Sequence, residues 1–290
     1  MRFRRKKIAQ TENFITFLRD KFDYRNIQPV NDTGSGRFGT NQFFTAETPE
    51  GQKIFIKSTA DAYLVKAEYY AYKHLHELDP VHFVDAVGYY FRRPYAFCAT
   101  CFTAGVMLSD FLASTEVTDE DRIIILKNIY DIFCTLRKSD IVHRDLYLNQ
   151  MLYDKEQGIV KLIDFQNSAS KSNYQEAAYR RFFDLADFRF KYKRFIWDDA
   201  NDLLLLIDAV GCPEHFAPQF QEMRRDIEAH VGKHCIHYQL PGFFKLYASL
   251  LMFTLKKYMY KGHKRDIYEN RVRQCKYILN EAKQLRNKQN

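Results

Sequence analysis

Two aspartates in this sequence are placed for chemistry on a hydroxyl group. Asp145 follows a long amphipathic segment in the tripeptide His143-Arg144-Asp145, and Asp164 ends the short apolar run Ile159–Ile163. A carboxylate at the first position can orient an attacking hydroxyl and take its proton late in the transfer. A carboxylate at the second can bind Mg²⁺. Since two strands and a tight turn separate the aspartates, both can reach one cleft.

A lysine on a predicted strand supplies the positive charge that such a cleft needs. In the segment KIFIKS, alternation places Ile54 and Ile56 on one face and Lys57 on the other. A lysine there can neutralise the α- and β-phosphates of a nucleotide, and it needs an acidic partner. Glu68 on the following helix is the expected partner, and Glu77 near the end of that helix is the alternative. The alternative interpretation is that Lys57 is an ordinary exposed lysine with no role in phosphate binding.

Three glycines precede this strand at the spacing of a phosphate-binding loop. Gly34, Gly36 and Gly39 let backbone N–H groups approach phosphates without Cβ clashes. A dinucleotide-binding loop would lead into a helix, but the next segment here is again strand-like. This order favours a flap over nucleotide phosphates. An ordinary glycine-rich hairpin turn is the alternative.

Hydrophobic periodicity predicts the elements that position these residues. The first third alternates between strand-like runs and turns, interrupted by a helix over 61–78 with an apolar side of Leu64, Ala67, Ala71, Leu75 and Leu78. A long amphipathic helix is expected over 118–140, followed by the aspartate loop and a hairpin with its turn at 155–158. The pattern from about 176 onward is helical. The fold class is therefore α+β, with a hinge near 103–107.

The order and spacing of the four motifs match the protein-kinase signature set. They predict a bilobal protein-kinase-like fold that uses ATP and Mg²⁺, with an N-lobe over 1–104 formed by a small antiparallel sheet and one helix. A mainly helical C-lobe over 105–290 carries the catalytic loop, the metal site and the acceptor. Gln150 stands where a protein kinase has a metal-binding Asn, so Asp164 and Gln150 are the predicted ligands. Asn149 is the alternative, although on an extended loop it would point the other way.

Further residues depart from the protein-kinase pattern and agree with that of a particular group of related kinases. Tyr147 replaces the lysine of Ser/Thr protein kinases, and no Ala-Pro-Glu motif follows. HRDLYLNQMLYD, KLIDFQNS and the element from Arg181 to Ala186 resemble the bacterial lipopolysaccharide core kinases, the Kdo/heptose kinase family, over about residues 30–190. The resemblance implies phosphorylation of a sugar hydroxyl on the inner core, with Asp184 anchoring the backbone of the catalytic loop. Gln150 departs from the pattern of this family too.

Composition and charge agree with an anionic acceptor. The chain has 290 residues, 46% of them hydrophobic, and a formal charge of +8. We therefore expect an anionic glycan such as the lipopolysaccharide core glycolipid as partner, weak contact of the N-terminal MRFRRKK with an anionic membrane, and no nucleic acid. The segment 179–195, where cations and aromatics interleave, can contact phosphates and sugars or form a solvated helix. No signal peptide or membrane span is evident, so a cytoplasmic protein, peripheral on the inner membrane, is expected.

Other cysteine and histidine patterns are weaker. The six cysteines are expected to be reduced, and Cys98 and Cys101 to pack in a strand. His230, His234, Cys235 and His237 cluster in sequence, but Gly232 interrupts any helix there and no catalytic carboxylate is placed with them, so a metal site is not favoured. A protein or small-molecule kinase of the same fold remains an alternative, as does a pseudokinase scaffold, which Gln150 and Gln166 would suit.

Overall fold

The described part of the chain falls into two compact units. The computed structural model describes residues 2–30, 42–59, 62–92, 94–170, 196–233, 235–237 and 243–260, and single positions or pairs between 265 and 280. The first unit consists of Met1–Ser170 and Asp198–His234, and the second of Lys171–Trp197 and Cys235–Asn290. The predicted lobe boundary at residue 104 lies inside the first unit and stays a prediction. Within the ranges described, no helix is long and apolar enough to cross a membrane.

The first unit opens with a helix and a five-stranded antiparallel sheet. Helix α1 is followed by five strands in the spatial order β1-β2-β3-β5-β4, and helix α2 connects β3 to β4. The strands and α2 agree with the prediction from periodicity. The bounds are Arg2–Phe22 for α1, Arg25–Pro29 for β1, Gln42–Glu47 for β2, Lys53–Ser58 for β3, Ala62–Leu78 for α2, Ala86–Arg92 for β4 and Tyr95–Cys101 for β5.

Helix α1 covers one face of this sheet and was not predicted. Phe14 and Leu18 of α1 are buried in one apolar cluster with Ile54 and Ile56 of β3 and Phe97 of β5. The spacing of the two α1 residues is that of one helical face. For this segment we expected weak membrane contact of MRFRRKK and no signal peptide, but we predicted no helix. The N-terminal helix is therefore part of the core of the sheet.

Helix α2 lies against the rest of the core with a face slightly different from the predicted one. Its buried residues are Val65, Glu68, Ala71, Tyr72 and Leu75, whereas Leu78 is 46% exposed. The apolar pattern alone predicted that Leu78 is buried, and it did not include Glu68 on the buried side of the helix. The buried face includes Glu68 because a buried cation on β3 contacts it there.

Most residues of the remaining elements are helical, as predicted. The predicted long helix is α4, which begins after Thr118; the Thr118 hydroxyl accepts the Asp121 N–H, and the Asp121 carboxylate accepts the Thr118 N–H. The predicted hairpin is β8–β9. The bounds are Val106–Met107 for β6, Leu108–Leu112 for α3, Asp119–Lys138 for α4, Ile141–Val142 for β7, Met151–Asp154 for β8, Ile159–Leu162 for β9, Ala169–Ser170 for β10, Ile196–Asp198 for β11, Asp199–Val210 for α5, Ala217–His230 for α6, Cys235–His237 for β12 and Phe243–Met259 for α7.

Strand β9 connects the hairpin to the segment after α2. The Leu162 N–H donates to the carbonyl of His82 at 3.0 Å, and Phe83 forms a parallel bridge with Leu162. The Ile163 N–H donates to the carbonyl of Gln150 at 2.8 Å, so the open end of the hairpin is closed as well. The backbone that leads into Asp164 is thus held from two sides.

Candidate active site

Lys57 lies between two carboxylates in the interior of the first unit. Its Nζ is 3.2 Å from Glu68 Oε1 and also donates to Asp164 Oδ1. Lys57 and Glu68 are 7% and 3% exposed, while the Asp164 side chain is partly open to solvent. The expected contact of Lys57 with Glu68 is present, and Glu77 is exposed. The contact therefore joins β3, α2 and the turn after β9.

The charges in this cluster shift one another's pKa values. Burial by itself lowers the pKa of Lys57, but the carboxylates of Asp164 and Glu68 outweigh it and hold this pKa well above its ordinary value. Burial raises the pKa of Glu68 to about 7, against the opposing effect of the Lys57 ammonium. Lys57 is thus a permanent cation, and burial makes the Glu68 carboxyl harder to ionise than an exposed one.

Asp164 has a backbone conformation that the sequence did not predict. Its φ and ψ are 65° and 58°, in the left-handed region that non-glycine residues rarely adopt. Its N–H donates to the hydroxyl of Tyr72 at 2.9 Å. The next residue, Phe165, is fully buried, with ring centroids 5.0 Å from Tyr72 and 4.6 Å from His143. The α2 helix and the catalytic loop therefore both hold the turn that presents Asp164.

The backbone of the catalytic loop is anchored by Asp199, at the start of α5. The His143 N–H donates to Asp199 Oδ2 at 2.8 Å, and the Arg144 N–H donates to Asp199 Oδ1 at 3.2 Å. Asp199 is 1% exposed, and burial raises its pKa to about 7. The resemblance had implied this role for Asp184, which lies outside the described residues. A signal for Asp199 was present in the sequence, because two aspartates, Asp198 and Asp199, stand directly before an apolar helix. A helix needs only one of them as its N-cap, so the other is available for a different role.

The His143 side chain braces the loop from inside. It is fully buried; its Nδ1 accepts the Asp145 N–H at 3.3 Å, and its Nε2 is 3.0 Å from the carbonyl of Ile163. Because Nδ1 accepts, Nε2 carries the hydrogen and donates to that carbonyl. Burial lowers the pKa of His143 to about 4, so the ring is neutral at physiological pH.

Asp145 is half-buried and one of its oxygens is oriented by a neighbour. Asn167 Nδ2 donates to Asp145 Oδ2 at 2.9 Å, and the carbonyl of Asn167 accepts from the Arg144 guanidinium. Asn167 lies only three residues after Asp164, so the two carboxylates are brought to one region, as predicted. The sequence reading had noted Gln166 here as a departure and had passed over Asn167.

The two amides proposed as metal ligands lie in one turn. Leu148–Gln150 form a 3₁₀ turn, in which Asn149 is exposed and Gln150 is half-buried. The loop is therefore not extended at this point, and the argument that Asn149 points the opposite way does not apply. Gln150 is nevertheless the residue whose backbone pairs with Ile163, next to Asp164. Its assignment as a ligand stays a prediction.

The side chains of the site fit Mg²⁺ bound with a nucleotide. Carboxylate and amide oxygens are the ligands that Mg²⁺ takes, and this ion keeps much of its shell for phosphates and water. Among the described residues, no group of three or more His, Cys, Asp or Glu side chains forms a metal site of its own. Asp164 and Gln150 would thus supply few ligands, and Lys57 would supply charge for the phosphates.

Several predicted features lie outside the described residues. They include Gly34, Gly36 and Gly39, the segment 179–195 with Asp184, and His234. Tyr147 is half-buried and extended, immediately before the 3₁₀ turn. His230 contacts the backbone of Asp226 at 2.7 Å and accepts from Arg137 at 3.3 Å, as part of a structural network between α4 and α6.

Comparisons with known proteins identify the family of the chain. No curated protein matches the chain. Among solved structures, the chain is similar to PK-1, the kinase of Cydia pomonella granulovirus, at 14% identity and a TM-score of 0.42. That similarity covers 55% of this chain and 57% of the viral one, so it spans little more than half of the viral kinase. The family described as protein tyrosine and serine/threonine kinase matches residues 27–183, more than half of the 290 residues, and the chain therefore belongs to this kinase family.

Proposed function

We propose that this kinase transfers the γ-phosphoryl group of ATP to a sugar hydroxyl, heptose or Kdo, of the lipopolysaccharide inner core. The observation that carries the catalytic part is the arrangement of Lys57, Glu68 and Asp164, with Asp145 fixed beside them by Asn167. A pseudokinase scaffold would have no need of this complete set of charged groups. The proposal is therefore an active enzyme.

The residues divide the reaction between them. Lys57 presents a permanent positive charge toward the nucleotide phosphates, and Glu68 fixes its position. Asp164 and Gln150 would hold Mg²⁺, which supplies charge neutralisation for the phosphates when it is bound. Asp145 accepts a hydrogen bond from the attacking hydroxyl through one oxygen, while Asn167 holds its other oxygen. The hydroxyl proton passes to Asp145 late in the transfer.

The choice of a glycan acceptor rests on the sequence. Tyr147 stands two residues after Asp145, where a Ser/Thr protein kinase has a lysine. An aromatic residue beside the acceptor can pack against a sugar ring and interact with it. The net charge of +8 suits an acceptor that carries phosphates and carboxylates, and it suits weak attraction to the anionic cytoplasmic face of the inner membrane.

A second candidate is phosphorylation of a protein hydroxyl. The observation in its favour is the family match over residues 27–183, which describes tyrosine and serine/threonine kinases. The same catalytic residues would serve, because only the acceptor differs. The two candidates therefore separate by acceptor and not by mechanism.

The test is a direct comparison of acceptors. The purified chain is incubated with Mg·ATP and either inner-core oligosaccharide from a strain lacking this protein or a mixture of Ser-, Thr- and Tyr-containing peptides. The expected product is the oligosaccharide with one added phosphate, found by mass spectrometry. Phosphorylated peptides with unmodified oligosaccharide would establish the second candidate instead.

Two matched variants show whether the reaction belongs to this site. Asp145→Asn removes the proposed base and is expected to lower the rate at least about 100-fold. Asp154→Asn makes the same change in a carboxylate that only caps the β8–β9 turn, and it should leave the rate unchanged. Equal rates for both variants would rule out Asp145 as the catalytic residue.

A further inference from the structure

Tyr72 connects helix α2 directly to Asp164. It lies one helical turn after Glu68 and is 5% exposed. Its hydroxyl oxygen accepts the N–H of Asp164 at 2.9 Å, and its ring packs edge-on against Phe165 at 5.0 Å. The same face of α2 therefore carries the carboxylate that holds Lys57 and the hydroxyl that holds Asp164.

The backbone at Asp164 needs such a partner. A left-handed conformation at a non-glycine residue is less stable than the usual ones, so the surrounding contacts must hold it. Asp164 lies beyond the last ladder position of β9, and its N–H takes the Tyr72 hydroxyl as acceptor. The direction of this N–H fixes where the Asp164 side chain leaves the backbone, which is toward Lys57.

We propose that Tyr72 is a positioning residue for Asp164: its hydroxyl holds the Asp164 backbone in the left-handed conformation that aims the carboxylate into the site. The consequence for Mg²⁺ rests on the function proposed above, in which Asp164 is a ligand. The hydroxyl stays protonated throughout the working range, because burial and the nearby carboxylates of Glu68 and Asp164 raise the pKa of Tyr72 well above its ordinary value. The effect is one of geometry and not of titration.

The test substitutes only the hydroxyl. Tyr72→Phe keeps the ring that packs on Phe165 and removes the acceptor of the Asp164 N–H. Tyr153→Phe is the matched control, since Tyr153 is also buried and its hydroxyl donates to Asp121 of helix α4 at 3.1 Å rather than holding the Asp164 backbone. Both proteins are studied as the full chain.

The first readout is amide hydrogen exchange, measured by NMR without nucleotide. Tyr72→Phe is expected to speed exchange of the Asp164 amide about five- to tenfold, as the loss of one neutral hydrogen bond implies. The Leu162 amide, which bonds to His82, is the internal reference and should not change. Tyr153→Phe should change neither amide. Unchanged Asp164 exchange in Tyr72→Phe, or the same change in both variants, would overturn the proposal.

The second readout is the Mg²⁺ concentration that gives half of the thermal stabilisation at saturating ATP. We expect Tyr72→Phe to raise it several-fold, with the full stabilisation recovered at high Mg²⁺. A shift in amide exchange without this rise would overturn the link to the metal. If the wild-type protein shows no stabilisation by Mg·ATP, the proposed function fails, and amide exchange alone still supports or overturns the positioning of Asp164.

Discussion

The two faces of the five-stranded sheet differ in the side chains that they bury. The face under α1 buries a cluster of apolar and aromatic side chains, among them Phe14, Ile54 and Ile56. One position further along β3, Lys57 lies on the opposite side and contacts Glu68 of α2. Because side chains alternate along a strand, a single step separates the packing face from the charged one.

Within strand β3, residues on one face therefore contribute mainly to the stability of the fold, and Lys57 on the other face contributes to the chemistry of the site. The α1 face can be altered in volume without changing the charges near the nucleotide. The α2 face holds its charges through Glu68, Tyr72 and the turn at Asp164, so changes there act on the site first. A one-residue slip of β3 would exchange the two faces, which is why the register of this strand is tightly specified. The predictions below test this separation.

The largest expected effect is on the apolar face. Phe14→Ala empties a fully buried position between α1 and the sheet, and it is expected to lower the free energy of unfolding by about 3–5 kcal/mol. Urea unfolding measures this. Thr16→Ala, an exposed change on the same helix, should alter stability by less than about 0.5 kcal/mol. Loss of stabilisation by Mg·ATP in folded Phe14→Ala would contradict the separation.

On the charged face, Lys57→Met should abolish most activity. Removing one preorganised charge from a buried site is expected to lower the rate of γ-phosphoryl transfer by about 100- to 1000-fold. Initial rates at saturating ATP measure this. The control is Lys53→Met, an exposed lysine of the same strand that lies over the Phe102 ring at 3.9 Å. Similar losses in both variants would show that the strand, and not the Lys57 charge, is responsible.

The pH dependence of stability should also differ between the catalytic loop and the α1 face of the sheet. Burial lowers the pKa of His143 from 6.5 to about 4, so between these values the unfolded chain binds more protons than the folded one. The contribution of His143 is therefore present above pH 6.5 and lost as the pH falls toward 4. The stability difference between wild type and His143→Phe should shrink by about 2 kcal/mol from pH 7 to pH 5.

The apolar face supplies the reference for this titration. Among the described residues of the α1 cluster, no buried side chain titrates between pH 4 and 7, so the deficit of Phe14→Ala should be the same at pH 5 and pH 7. Urea unfolding at the two pH values measures both. A constant difference for His143→Phe would mean that this histidine is not buried in its neutral form.

The smallest effect is expected at Glu68. Glu68→Gln keeps a hydrogen-bond acceptor for Lys57 but removes its charge, so the dissociation constant for Mg·ATP should rise about five- to tenfold. Calorimetric titration measures this. Glu77→Gln makes the same change at an exposed position near the end of α2 and should have no effect. A rise for Glu77→Gln alone would return the role to the alternative partner of Lys57.

Local patterns were enough to predict the elements and the nearest contacts. Alternation in KIFIKS identifies the two faces of β3. The need of Lys57 for an acidic partner on the next helix identifies Glu68, 11 residues later in the chain. The aspartate loop and the hairpin β8–β9 follow from turn residues and apolar runs. These features depend on neighbours in the sequence, and for that reason they can be predicted from it.

The missing parts depend on long-range contacts or on exact orientation. Asp199 holds a loop 55 to 56 residues away, and no local pattern shows that a carboxylate at the start of α5 will receive two N–H groups. Periodicity marks Tyr72 as a helical aromatic but cannot aim its hydroxyl at Asp164. For α1, the sequence shows the helical spacing of Phe14 and Leu18, but no local pattern shows which face of the sheet these residues cover.

The most direct test of the central claim is the phosphate content of the inner core. Mass spectrometry would compare lipopolysaccharide from a strain lacking this protein with that from strains restored with wild type, Asp145→Asn or Asp154→Asn. We predict that one phosphate is lost without the protein, returns with wild type and Asp154→Asn, and stays absent with Asp145→Asn. An unchanged phosphate pattern in the strain lacking the protein would contradict the proposed function.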